Sequence, residues 1–154
     1  MTTIPFHEYA SPSGIAVRIA KEQLVRERTE TLCKVLKADY INHSIISHQH
    51  SIYLADAGDS FSTNYHQSCI DALTNGECDY DFFIKEGRKY LKIVMSAQGS
   101  ESVHAFVDKK TGEVYKAASY KGPAKGVRFD LNIPEHRAWL LENADWAGSY
   151  LYKN

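Results

Sequence analysis

Cysteine is scarce. Cys33, Cys69 and Cys78 are the only three, an odd number at irregular spacing, which reads as reduced thiols in a cytoplasmic setting rather than a disulfide framework. Long apolar runs are missing too: no stretch approaches the roughly 18 residues that a bilayer span needs. The start, MTTIPFHEYASPSG, lacks the basic-then-apolar order of a signal or transit peptide. A membrane role is therefore not expected, and the predicted location is the cytoplasm. The familiar catalytic and cofactor signatures are also absent. There is no G-x-S-x-G, H-E-x-x-H, EF-hand loop, G-x-G-x-x-G or GxxxxGK[ST], so no enzyme class is indicated and no cofactor is expected. A net charge of −1 argues against wholesale coating of nucleic acid but leaves room for a local patch.

What remains is a chain of 154 residues, one domain's worth and long enough to bury a core without metal or disulfide staples. Ser11-Pro12-Ser13-Gly14 is a helix-start signature. From Ile15 to about Lys37, Val17, Ala20, Leu24, Leu32, Val35 and Leu36 fall near one helical stripe, with charges of alternating sign elsewhere. Residues 40–56, a mixture of β-branched, histidine and serine residues, read as a strand or connector. A second helix is predicted from about Thr63 to Leu73, burying Tyr65, Cys69, Ile70 and Leu73 and ending at Asn75-Gly76.

From Tyr80 the apolar period becomes two. Tyr80 to Glu86, Tyr90 to Ala97, Ser102 to Asp108 and Glu113 to Ser119 read as four strands of an antiparallel meander with glycine-bearing hairpins. A Gly/Pro/Lys loop from Tyr120 to Arg128 follows. A third helix then starts near Asn132 and Pro134, and the aromatic tail from Ala144 to Tyr152 is predicted to dock. The expectation is one α+β domain over 1–154. Residues 1–76 are predicted to be mainly helical. Residues 77–154 are predicted to form the meander plus a C-terminal helix packed on one sheet face, leaving the other face basic and tyrosine-bearing.

The charge is unevenly spread. Residues 1–83 hold six Lys/Arg against eleven Asp/Glu, whereas residues 84–128 hold ten against four. Within that basic block, aromatic residues alternate with cations, the composition by which a sheet neutralises phosphates and stacks bases. Lys92, Tyr115, Lys116, Tyr120, Lys121, Lys125 and Arg128 are the candidate ligand-binding residues. Lysines at hairpin turns also serve as ordinary solubilising and edge-protecting groups. Replacing Lys116, Lys125 and Arg128 together tests the patch: polyanion binding should vanish with thermal stability nearly unchanged.

His48-Gln49-His50 places two imidazoles on one side of a strand, a pairing used by metal sites and histidine-dependent nucleases. His43, His66, Cys69 and Cys78 are candidate further ligands, but no second clean pair accompanies them. Cys69 sits on the apolar stripe of its helix and Cys33 lies mid-helix beside Leu32, so both read as buried and inert. Glu77, Asp79 and Asp81 read as a solvated acidic turn. His104 reads as hydrogen-bonded within the sheet.

Residues 103–107 (VHAFV), 111–119 (TGEVYKAAS), 123–128 (PAKGVR) and 145–152 (DWAGSYLY) resemble segments of small proteins encoded by tailed bacteriophages. The resemblance covers roughly the C-terminal half, carries over no catalytic residue, and implies expression in an infected bacterial cell. Three functions follow as expectations. The first is an accessory protein binding nucleic acid or a nucleotide-like anion through residues 85–128. The second is a protein-binding module that inhibits a host factor or is a minor virion component. The third is a metal-dependent nuclease or hydrolase using His48, His50 and an acidic partner.

Overall fold

The computed structural model describes residues 12–152, so Ser11 of the predicted helix start lies outside the described residues. Helix α1 runs Pro12–Leu54, 43 residues and about 65 Å at 1.5 Å per residue. Its sheet-facing stripe is Val25, Thr29, Leu32, Cys33 and Leu36, all buried, at the three- and four-residue steps of one helix face. Thr29 sits in this apolar row because its hydroxyl donates to the Val25 carbonyl, 2.8 Å away. The buried stripe begins at Val25, not at the predicted Val17: Val17 and Leu24 are exposed.

Residues 40–54 are helical, not the expected strand or connector. Tyr40, Ser44 and His48 lie one turn apart on the side that meets Tyr65, Cys69 and Leu73 of α2 (Ser60–Thr74). That partner outweighs the low helical propensity of the β-branched residues between them, as tertiary packing commonly does. The Asp59 carboxylate caps α2 by accepting from the Ser62 amide at 3.0 Å. Gly76, at φ +87°, ends the helix region as predicted. None of α2's residues is fully buried. Tyr65 is exposed and Cys69, Ile70 and Leu73 are half-buried, because α2 packs along α1 instead of on the sheet.

The meander comprises β1 (Tyr80–Glu86), β2 (Tyr90–Ala97), β3 (Ser100–Asp108) and β4 (Glu113–Ser119). Two short strands the sequence did not suggest, β5 (Gly122–Pro123) and β6 (Phe129–Asp130), pair antiparallel with β4 and complete a six-stranded sheet. The β2–β3 turn is a tight two-residue hairpin with Gln98 at φ 52° and Gly99 at φ 85°. In the β3–β4 turn the Asp108 carboxylate accepts from the amides of Lys110 and Thr111.

One face of the sheet presents Phe82, Leu91, Ile93, Ala105, Val107 and Val114 to α1, in one cluster with Leu131, Leu140, Ala144, Tyr150 and Leu151. Helix α3 (Pro134–Asn143) packs against α1 and β6. The tail docks as expected: the Trp146 amide donates to Asp39 at 2.9 Å, and the indole joins the stacked rings of Tyr40 and Tyr80. A β-bulge where the register passes from Ile93–Ala105 to Val94–Val103 leaves His104 as the extra residue of β3. Its imidazole Nε2 meets the buried Tyr150 hydroxyl at 2.7 Å, so its partner is the tail and not the sheet. No helix among the described residues is long and apolar enough to cross a membrane.

Candidate anion-binding face

The register aligns Lys85, Lys92, Phe106 and Tyr115 in one row across β1, β2, β3 and β4. The row lies on the face away from α1. Phe106 is fully buried there, apart from the main core, with its ring edge-on to Tyr90 and Tyr90 edge-on to Tyr115. Lys85 and Lys92 stand directly opposite each other, an arrangement that like charges normally disfavour. Both are held by outside partners. Lys85 Nζ donates to Glu101 at 2.6 Å and reaches the Tyr120 hydroxyl at 3.4 Å, and these bonds, Glu101's first, raise its pKa. Lys92 Nζ sits 3.9 Å from the centre of the Tyr120 ring, a cation–π contact. Burial is the main cause of the raised pKa of Tyr115, which keeps its phenol protonated.

Beside this row opens a cleft of about 250 Å³ lined by five cations (Lys85, Arg88, Lys89, Lys92, Lys121) with Tyr90 and Phe106 beneath them. Its one carboxylate, Glu86, is already shared by Arg26 at 2.9 Å and Lys109 at 3.8 Å. Lys89 rides over the Tyr90 ring. Among the described residues Arg88, Lys92 and Lys121 have no ion pair. Clustered, uncompensated cations over an apolar aromatic floor produce a focused positive potential. The geometry suits an anion carrying a ring: phosphate oxygens at the rim and the ring against the half-buried Tyr90, which the buried Phe106 backs.

Of the predicted residues, the structure brings Lys92, Tyr115, Tyr120 and Lys121 together on this face. Lys116, Lys125 and Arg128 are elsewhere. Lys116 pairs with Ala105 in the ladder and therefore points to the opposite face, where its ammonium lies 4.7 Å from the centre of the Tyr152 ring. Arg128 is spent on the backbone: Nε donates to the Leu151 carbonyl at 2.6 Å, and Nη1 to the carbonyls of Lys125 and Gly126 at 2.9 and 2.7 Å. It clamps the loop to the tail. Lys125 is exposed on that loop. Sequence reasoning placed Lys85, Arg88, Lys89, Tyr90 and Phe106 in the basic, aromatic-bearing block without assigning them to the site. Alternation within β2 already set Tyr90 and Lys92 on one side, but the pairing with β3 and β4 was needed to add Phe106.

The H-x-H pair is not a chelate. On a helix, residues two apart point in widely divergent directions. His48 faces α2 with Nδ1 2.8 Å from His66 Nδ1, and His50 is exposed. The His48 pKa is lowered by burial and then by the neighbouring His66. Among the described residues no three His, Cys, Asp or Glu side chains are grouped to hold a metal ion.

The model of a family of unknown function, DUF7717, matches residues 6–153, and the chain belongs to that family. No curated protein and no solved structure matches it.

Proposed function

We propose that the protein binds single-stranded nucleic acid, or a nucleotide-like anion, on the outer face of its sheet, as an accessory protein in the cytoplasm of a phage-infected bacterium. The carrying observation is the cleft in which Arg88, Lys92 and Lys121, unpaired with any carboxylate among the described residues, surround Tyr90 and Phe106. The half-exposed ring of Tyr120 extends this platform, and stacking on such rings tolerates any base. The phage setting rests on the resemblance of the C-terminal segments. The decisive comparison is between two sets of variants. Arg88→Ala/Lys92→Ala/Lys121→Ala should abolish oligonucleotide binding, whereas Lys116→Ala/Lys125→Ala should leave it within about twofold. Equal losses in the two sets would refute the assignment.

A second reading, a protein-binding module acting on a host factor or carried in the virion, is favoured by the far end of the helical hairpin. Tyr53, Leu54 and Phe61 are 83 %, 65 % and 83 % exposed there, and exposed aromatics are typical binding anchors. Capture of a bacterial or virion protein that withstands high salt and is lost in Tyr53→Ser/Phe61→Ser would establish it.

A further inference from the structure

A second groove lies on the other side of the molecule, between α1 and α3. Its floor is formed by Leu32, Leu131 and Leu140, all buried, and its volume is about 250 Å³. At its edge two guanidiniums converge on one backbone oxygen. Arg28 Nη1 donates to the Leu131 carbonyl at 3.1 Å and Arg137 Nη1 to the same oxygen at 2.8 Å. The two Nη1 atoms are thus no more than 5.9 Å apart, the sum of those distances.

Two cations this close repel each other. The Arg28 pKa is lowered, first by burial and then by Arg137. Among the described residues neither arginine has an ion pair. Asp130 offsets part of the repulsion on Arg28 without forming an ion pair with it, and its Oδ1 accepts from the Asn132 amide. Arg28 Nη1 also donates to Asn132 Oδ1 at 2.8 Å. Each guanidinium offers five N–H donors, so the remaining fork of each is free for a carboxylate, which such forks grip bidentately.

We propose that this groove is a binding site for a medium-chain carboxylate, with its head group between Arg28 and Arg137 and its tail over the leucines. Charge complementarity selects the head, and the apolar lining selects the tail. The size follows by proportion: an apolar cavity of about 150 Å³ takes benzene, so this groove holds a tail of roughly eight to ten carbons. The site shares no lining residue with the sheet-face cleft, where cations stand over aromatic rings.

The test is calorimetric titration with octanoate, well below micelle-forming concentrations, alongside 1-octanol, octylammonium and acetate. Octanoate should bind saturably, one per chain, at least tenfold tighter than any of the other three. Arg28→Gln/Arg137→Gln should weaken it at least tenfold. Because both arginines also hold the Leu131 carbonyl, Thr31→Trp provides a second variant. Thr31 is an exposed residue lining the groove, and a tryptophan there should block the tail without disturbing the core. Lys92→Ala/Lys121→Ala should leave octanoate binding unchanged. Absence of saturable binding, octanol binding as well as octanoate, unchanged affinity in Thr31→Trp, or loss in the Lys92/Lys121 variant would each overturn the assignment.

Discussion

His104 makes the fold sensitive to mild acid. Burial lowers its pKa from 6.5 to about 4, since its imidazole is enclosed by Phe82, Tyr150 and Gly148. Burial also pushes the Tyr150 phenol up, so the hydroxyl keeps its proton and shares its hydrogen bond with the Nε2 of a neutral imidazole. In the unfolded chain the imidazole takes up a proton near pH 6.5, whereas in the folded chain it does so only near 4. Across that window the unfolded state binds more protons, so stability falls as pH falls. A shift of this size, at about 1.4 kcal/mol per unit, amounts to about 3 kcal/mol, lost progressively between roughly pH 6.5 and 4. The Asp145 carboxyl titrates lower. Burial pushes it up, but hydrogen bonds from Ser149 and from nearby backbone amides outweigh this and hold it below 3.8, so its contribution is lost only beneath the histidine window. Urea unfolding at closely spaced pH values, followed by tryptophan fluorescence, measures the slope. His104→Gln keeps an acceptor for Tyr150 and removes the titration, so its profile should be flatter by most of that amount. The lowered pKa of His48 adds a smaller slope of the same sign to both proteins. Parallel profiles for wild type and His104→Gln would refute the reasoning.

Arg128→Ala should cost about 2–4 kcal/mol in urea unfolding, because three carbonyls lose a charged donor. Arg128→Lys should recover only part of this, since an ammonium lacks the planar fork, and a loss below about 0.5 kcal/mol for Ala would contradict the clamp. Gly112→Ala should destabilise by about 1–2 kcal/mol: the glycine sits at φ +76°, and a Cβ would lie 3.0 Å from Asn132 Nδ2. Equal stability by the same assay would contradict that geometry. Burial raises the Cys33 pKa to about 12, and Cys69 and Cys78 are half-buried. A thiol-reactive dye should therefore modify two cysteines per native chain and the third only on unfolding; rapid modification of all three would refute the assigned burial of Cys33.

The strands and turns were legible because alternation and glycine placement are local. Tyr80–Glu86, Tyr90–Ala97 and Glu113–Ser119 follow from period two alone. The continuation of α1 through Ile41, Ile45 and Ile46 was not legible, since those residues favour strands and become helical against a partner helix that propensity does not see. The same gap displaced the functional reading. Lys116 and Arg128 share a charge block with Lys92, but the ladder register sends Lys116 to the opposite face and carbonyl oxygens claim Arg128. Charge counting finds a basic segment; only pairing sorts its members. His104 became a tail-binding residue through a bulge, a one-residue insertion that no periodicity announces.

The salt dependence of single-stranded oligonucleotide binding, read by fluorescence anisotropy, tests the central claim most directly. With three to five cations engaged, log K should fall against log salt with a slope of roughly −2 to −3.5, about 0.7 per phosphate neutralised. Each single substitution among Arg88, Lys92 and Lys121 should reduce the slope by about that increment. No binding at low salt, or a slope unchanged by those substitutions, would contradict the sheet face as the anion site.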